Sequence, residues 1–149
     1  MRGAAGMAAA LLGFVLAAGA APPPAGTLQV QPEALAWRAA SPSMPAGTQI
    51  AVLEGDPKAE GLFTIRLKVP AGARLAPHWH PRDERVTVLS GEVHVGFGDA
   101  IDEGAVARFG AGAFYVNPAR SHHFVLFPRD TIVQITGVGP WAVHFLGAP

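Results

Sequence analysis

A chain of 149 residues, half of them hydrophobic and only 15% charged, is long enough for one domain with a real core and too apolar to be disordered. Its formal net charge is zero and its arginines are scattered, so the clustered basic footprint of a nucleic-acid binder is missing and no nucleic-acid partner is expected. With no cysteine, disulfides and thiolate metal sites are excluded, and any metal site must be built from imidazole and carboxylate.

The N-terminus, MRGAAGMAAALLGFVLAAGAAPPP, has one cation (Arg2), an apolar run from about Met7 to Ala18, the small-residue pattern Ala18-Gly19-Ala20 and a proline break. These are the parts of a signal peptide in order, so residues 1–20 are expected to be removed and the mature chain to begin near Ala21. The run is too short for a comfortable membrane span. The protein is therefore expected to be exported, periplasmic or secreted, with no stable membrane span after cleavage.

Residues 21–47 read as a Pro/Ala-rich linker in which Ala34–Ala40 forms an edge strand carrying Trp37. From Thr48 the pattern is short strands and turns. TQIAVLE (48–54) is the first, Gly55–Gly61 a loop, and LFTIRLKV (62–69) alternates, with Phe63, Ile65, Leu67 and Val69 on one face. RVTVLSGEVHVGF (85–97) predicts a hairpin turning at Ser90-Gly91. In it Val93, Val95 and Phe97 share the core face and His94 points outward. A weak strand follows at 105–109, then strands at 113–118, 122–127, 131–138 and 141–146. Eight or more short strands at this spacing predict an all-β sandwich or small barrel, with the main domain over 48–149.

Six histidines are unevenly placed. His78 and His80 lie two apart on a strand and so project from the same face, with Trp79 turned away. Glu84 follows a Pro-Arg-Asp turn. A carboxylate turned inward beside two imidazoles is a buried charge without a partner, and a divalent cation resolves the conflict. A further ligand must come from elsewhere. Asn117–His123 ends in two histidines at the start of an apolar strand, and alternation alone does not choose between His122 and His123.

Gly72-x5-His78-x-His80-x3-Glu84-x6-Gly91 fits the first cupin motif at every defining position. Gly112-x5-Pro118-x4-His123 has the spacing of the second. On these residues the chain resembles the cupins, in particular small single-domain members with a double histidine and a GVGPW-like stretch near the end. The resemblance implies a small cupin-type β-barrel (a double-stranded β-helix, or jelly roll) in which the two motifs converge on one divalent metal ion: iron, manganese, zinc, nickel or copper. Carried over, the ligands are His78, His80, Glu84 and His123. Two positions depart from the pattern. Arg120 stands where glycine is usual, so an altered turn is expected, and Phe127 stands where many cupins have asparagine.

Other residues receive simpler readings. His94 and His144 are expected to be structural. Tyr115 is either a buried strand tyrosine or a proton donor near the metal. Arg82, Asp83 and Arg85 are solvated turn charges, and Arg120 is either a plain turn residue or a hold on a carboxylate substrate. Four protein ligands leave two positions of an octahedral ion for water, dioxygen or substrate. The leading expectation is a metal-dependent, oxygenase-like enzyme acting on a small-molecule substrate. The alternatives are a non-catalytic module that binds metal and a small ligand, and a barrel that the metal only stabilises. Similar small cupins often pair through an edge sheet, and the strand near Trp37 offers one for a homodimer.

Overall fold

The structure is a computed structural model that describes residues 21–147, so the expected signal segment lies outside the described residues. Eleven strands form two antiparallel sheets. They are β1 (Arg38–Ala39), β2 (Gln49–Glu54), β3 (Gly61–Val69), β4 (Ala73–Trp79), β5 (Glu84–Ser90), β6 (Glu92–Phe97), β7 (Ala107–Gly110), β8 (Phe114–Asn117), β9 (His123–Phe127), β10 (Thr131–Gly139) and β11 (His144–Phe145). One sheet has the order β1-β2-β3-β10-β5-β8, the other β11-β4-β9-β6-β7. This is a jelly-roll barrel. Among the described residues no helix is long and apolar enough to cross a membrane.

Period-2 alternation builds the core. Phe63, Ile65, Leu67 and Val69 of β3 are all buried while Thr64, Arg66 and Lys68 are half-exposed. Val86 and Val88 from the same sheet meet Val93, Val95, Val125 and Phe127 from the other. Burying each such side chain stabilises the fold by about 1.5–3 kcal/mol.

Three expectations need correction. Ser90-Gly91 is not a hairpin: β5 pairs with β10 and β8, β6 with β7 and β9, so the chain crosses there from one sheet to the other. Crossing lets the valines on both sides of the turn face one core, which a hairpin within one sheet would not. Gly91, at φ 81°, is pressed against the Asp130–Thr131 backbone, and Thr131 Oγ1 both donates to Glu92 O (3.0 Å) and accepts from Glu92 N (3.2 Å). Second, Phe97 shares the inward parity of Val93 and Val95 but is 59% exposed, because β6 ends there at the open rim of the barrel. Third, the outer segments carry less strand than their composition predicts. Pro32–Ala34 is a 3-10 turn, only Arg38–Ala39 pairs at the edge, and Trp141–Val143 runs without pairing across the barrel end.

Candidate metal centre

The site begins with an irregularity in β4. Leu75 pairs with Val125 and His78 with His123, so the register slips between Leu75 and His78. Leu75 faces the core, and strict alternation from it would turn residues 77 and 79 inward. The bulge at Ala76-Pro77 reverses that parity and points His78 and His80 into the barrel. It also frees the Ala76 carbonyl, which accepts a hydrogen bond from His78 Nδ1 at 2.7 Å. Trp79 turns outward and stacks on His144, ring centres 4.2 Å apart.

The other members arrive from two more strands. His123 opens β9 facing inward; His122 lies outside, its Nδ1 2.6 Å from Asp99 Oδ1. Glu84 opens β5 opposite Asn117, the last residue of β8. His78, His80, Glu84 and His123 are 1%, 2%, 6% and 0% exposed, so all four lie in the interior, with Glu84 against His80 and His123. One ring nitrogen from each of the three histidines lies within 4.8 Å of the others, close enough to hold a metal ion.

Hydrogen bonding decides which nitrogens face one another. His78 Nδ1 is bound to Ala76 O, His80 Nδ1 to Ala142 O (2.8 Å) and His123 Nδ1 to Ser121 O (3.0 Å). A carbonyl can only accept, so each Nδ1 carries the proton and, in the neutral ring, each Nε2 presents a lone pair. His80 Nε2 and His123 Nε2 are buried without a hydrogen-bond partner, and they lie 3.4 and 3.8 Å from Glu84 Oε2. Lone pairs set against a carboxylate in the interior are costly unless a cation lies between them. The donor set, neutral imidazoles plus one carboxylate, suits a first-row divalent ion, and carbonyl bonds to the far ring nitrogens are how metal-binding imidazoles are oriented.

The electrostatics agree. Burial pushes His78 down to about 4, with His123 adding to the effect, and burial also lowers His123. Burial opposes charge on His80 too, but the Glu84 carboxylate outweighs it and its pKa is raised. Burial would raise Glu84, yet His80 and the Asn117 amide hold it at about 2. In the metal-free chain a proton is thus drawn to His80, where a cation would otherwise sit.

Several contributors escape a reading of the sequence. Asn117 donates through Nδ2 to Glu84 Oε2 at 2.8 Å and is 1% exposed; no local sequence pattern marks it, and only the strand register sets it opposite Glu84. The GVGPW stretch supplies Trp141, whose ring stacks on His80 at 4.9 Å and 15°, followed by the Ala142 carbonyl that orients His80. Arg120 takes the left-handed conformation (φ 62°) that glycine would supply, so the turn is retained despite the substitution, and its N–H donates to His80 O at 2.8 Å. Asp83 Oδ1 accepts from Ala119 N, tying the two motif turns together. Tyr115 faces inward beside Val86 and stacks on Phe109. Burial, then the Glu84 charge, pushes its hydroxyl well above the ordinary value, so it stays protonated. Phe127, Val125 and Ile135, together with His78, His80, Glu84 and Tyr115, line a small cavity of about 30 Å³. That is room for a water or a diatomic molecule.

Comparison with known proteins follows the same lines. The sequence model of the ChrR Cupin-like domain matches residues 25–142. Germin-like protein 3-1 of Oryza sativa subsp. japonica is 39% identical over 74 residues, 49% of this chain and 32% of that protein; the match thus spans about a third of the relative's length. Among solved structures, the polyketide cyclase RemF of Streptomyces resistomycificus superposes with a TM-score of 0.66 at 18% identity, over 81% of this chain and 86% of RemF. A candidate acetylacetone dioxygenase of Methylibium petroleiphilum PM1 gives a TM-score of 0.62 at 19% identity, over 80% of each chain.

Proposed function

Because this chain belongs to the cupin superfamily through its ChrR cupin-like domain, we propose that it is an exported metal protein in which His78, His80, Glu84 and His123 hold one divalent ion for oxygenase-like chemistry on a small molecule. The observation that carries the proposal is the pair of buried, unpartnered Nε2 atoms aimed at Glu84, each fixed by an Nδ1–H bond to a backbone carbonyl. When bound, the ion would supply Lewis-acid or redox chemistry at its open positions. The chain's own contribution is to orient three imidazoles, to keep Glu84 ionised, and to exclude bulk water. Tyr115 lines the same cavity and stays protonated, which supports reading its hydroxyl as a hydrogen-bond donor to a bound molecule. The oxygenase reading draws support from the cavity of about 30 Å³ in which apolar side chains such as Val125, Phe127 and Ile135 face His78, His80 and Glu84, a setting compatible with a small diatomic ligand. Fold likeness to a cyclase and a candidate dioxygenase is compatible with it.

One observation favours a second reading. The three histidines are almost fully buried, as in closed sites where a metal only stabilises the fold. Exchangeable water on the bound ion distinguishes the two. The first test is elemental analysis of the mature protein, purified without chelator from an export compartment, beside His78→Ala/His80→Ala. About one first-row metal per chain, lost in the double variant, is expected; a metal-free protein that also resists reconstitution would sink the proposal. N-terminal sequencing of the same sample checks export, with a start near Ala21 expected.

A further inference from the structure

The wall of the small metal-side cavity is also the wall of a larger space. Met44, Leu67, Trp141 and Val143 line the inner cavity and equally line an outer groove of about 650 Å³ that opens to solvent. That volume falls within the range of small-molecule sites. The groove lies where β1 and β2 extend the six-stranded sheet, which forms its floor, and Ser41, Ser43, Met44 and Trp141–Val143, outside the strands, wall it.

The strand register grades its floor. Val88, Val133, Leu67, Ile50 and Arg38 are successive cross-strand partners and so share one face of the sheet. The first three are buried, Ile50 is half-buried and Arg38 is exposed. The row thus runs from apolar core to a single cation at the mouth. Lys58 brings a second cation to the rim, and no acidic side chain lines the groove. Neither cation has an ion-pair partner among the described residues. Between groove and cavity stands Met44, an unbranched side chain that changes rotamer readily, beside the Trp141 ring stacked on His80.

We propose that this groove binds a small amphipathic anion, its apolar body against Ile50, Leu67 and Val143 and its carboxylate between Arg38 and Lys58, with Met44 as the gate toward the imidazoles. The identification of the groove's ligand class stands on its lining alone; only the idea that the ligand reaches a metal rests on the function proposed above.

The test uses two probes that share a body and differ in charge, 4-phenylbutanoate and 4-phenylbutan-1-ol, titrated calorimetrically into the mature chain with and without metal. The carboxylate is expected to bind at least about tenfold more tightly than the alcohol, the usual reach of one charge-assisted contact. Arg38→Gln/Lys58→Gln is expected to erase that preference with metal content and circular dichroism unchanged. Ala40→Trp, or Ser43→Trp should the first fail to fold, fills the groove and is expected to abolish binding of both probes. Equal affinity for the two probes, a preference that survives the double glutamine variant, or binding indifferent to a folded tryptophan variant would each overturn the proposal. A chain that takes up no metal would sink the function proposed above, while the groove is judged separately in the metal-free titration.

Discussion

Each imidazole of the cluster is held through Nδ1 by a main-chain carbonyl, so the chain chooses the tautomer before any ion arrives. The pKa directions then say which histidine competes with a metal. His78, at about 4, is already neutral near pH 6, and burial lowers His123 as well, whereas His80 is raised by Glu84. Metal affinity is therefore expected to be full above the raised His80 value and to fall as the pH drops through it, proton replacing cation; titration of a metal-loaded sample at several pH values reads this directly. His80→Ala should flatten that profile as well as weaken binding. Asn117 is the support for Glu84, and Asn117→Ala is expected to cost 10- to 100-fold in metal affinity, the usual effect of losing such a partner, while leaving the fold intact. Arg120 offers a different test. A non-glycine residue at φ 62° sacrifices about 1 kcal/mol, so Arg120→Gly should leave stability unchanged or raise it by up to that amount, whereas the β-branched Arg120→Val should lower it; denaturant midpoints decide.

Two elements do more than supply side chains. The bulge in β4 reverses the parity of the strand between Leu75 and the histidines, and without it the same residues would put Trp79 in the core and both imidazoles outside. The crossing at Gly91 carries the chain between sheets, and there a side chain has no room. Gly91→Ala is expected to destabilise by at least about 2 kcal/mol, since a Cβ would meet the Asp130 carbonyl and the Thr131 hydroxyl in addition to the positive φ. Gly112→Ala, also at positive φ but facing open space, should cost only about 1 kcal/mol. Comparing the two unfolding midpoints separates backbone conformation from crowding. A Gly91→Ala variant as stable as Gly112→Ala would mean the crossing is not as tight as drawn.

For the molecule as a whole, the proposed ion ties together β4, β5 and β9, and hence both sheets. A ligand present at about a thousand times its dissociation constant stabilises by about 4 kcal/mol, so chelation is expected to lower Tm by roughly ten degrees or more. An unchanged Tm after proven metal removal would contradict that coupling. The metal-free protein should have its own acid weakness. His78 is lowered to about 4, so between its unfolded value near 6.5 and pH 4 the unfolded chain binds a proton that the folded chain refuses, and stability falls. His123 acts in the same direction and His80 in the opposite one, since its raised pKa adds stability below its unfolded value. Glu84, held at about 2, contributes above its unfolded value near 4.5 and loses that contribution as the pH falls toward 2. The expected net result is a lower unfolding midpoint at pH 5 than at pH 7.5.

Much of this was legible along the chain because it depends on short-range periodicity. Alternation in 62–69 assigns the core face of β3, the i, i+2 spacing puts His78 and His80 together, and fixed glycine, proline and histidine spacings carry the cupin resemblance. Contacts between distant positions were not legible. His122 and His123 are equivalent to a reader of alternation, since both faces of β9 are apolar; only the placement of β9 between β4 and β6 turns His123 inward. Asn117 reaches Glu84 across 33 positions and Ala142 reaches His80 across 62, neither with a local pattern to mark it. The Ser90-Gly91 turn is the same case: its residues permit a hairpin, and what sends the chain across to the other sheet is the shared core that valines from both sides must enter. Periodicity therefore settles which way a side chain points within its strand, and packing between strands settles what it meets there.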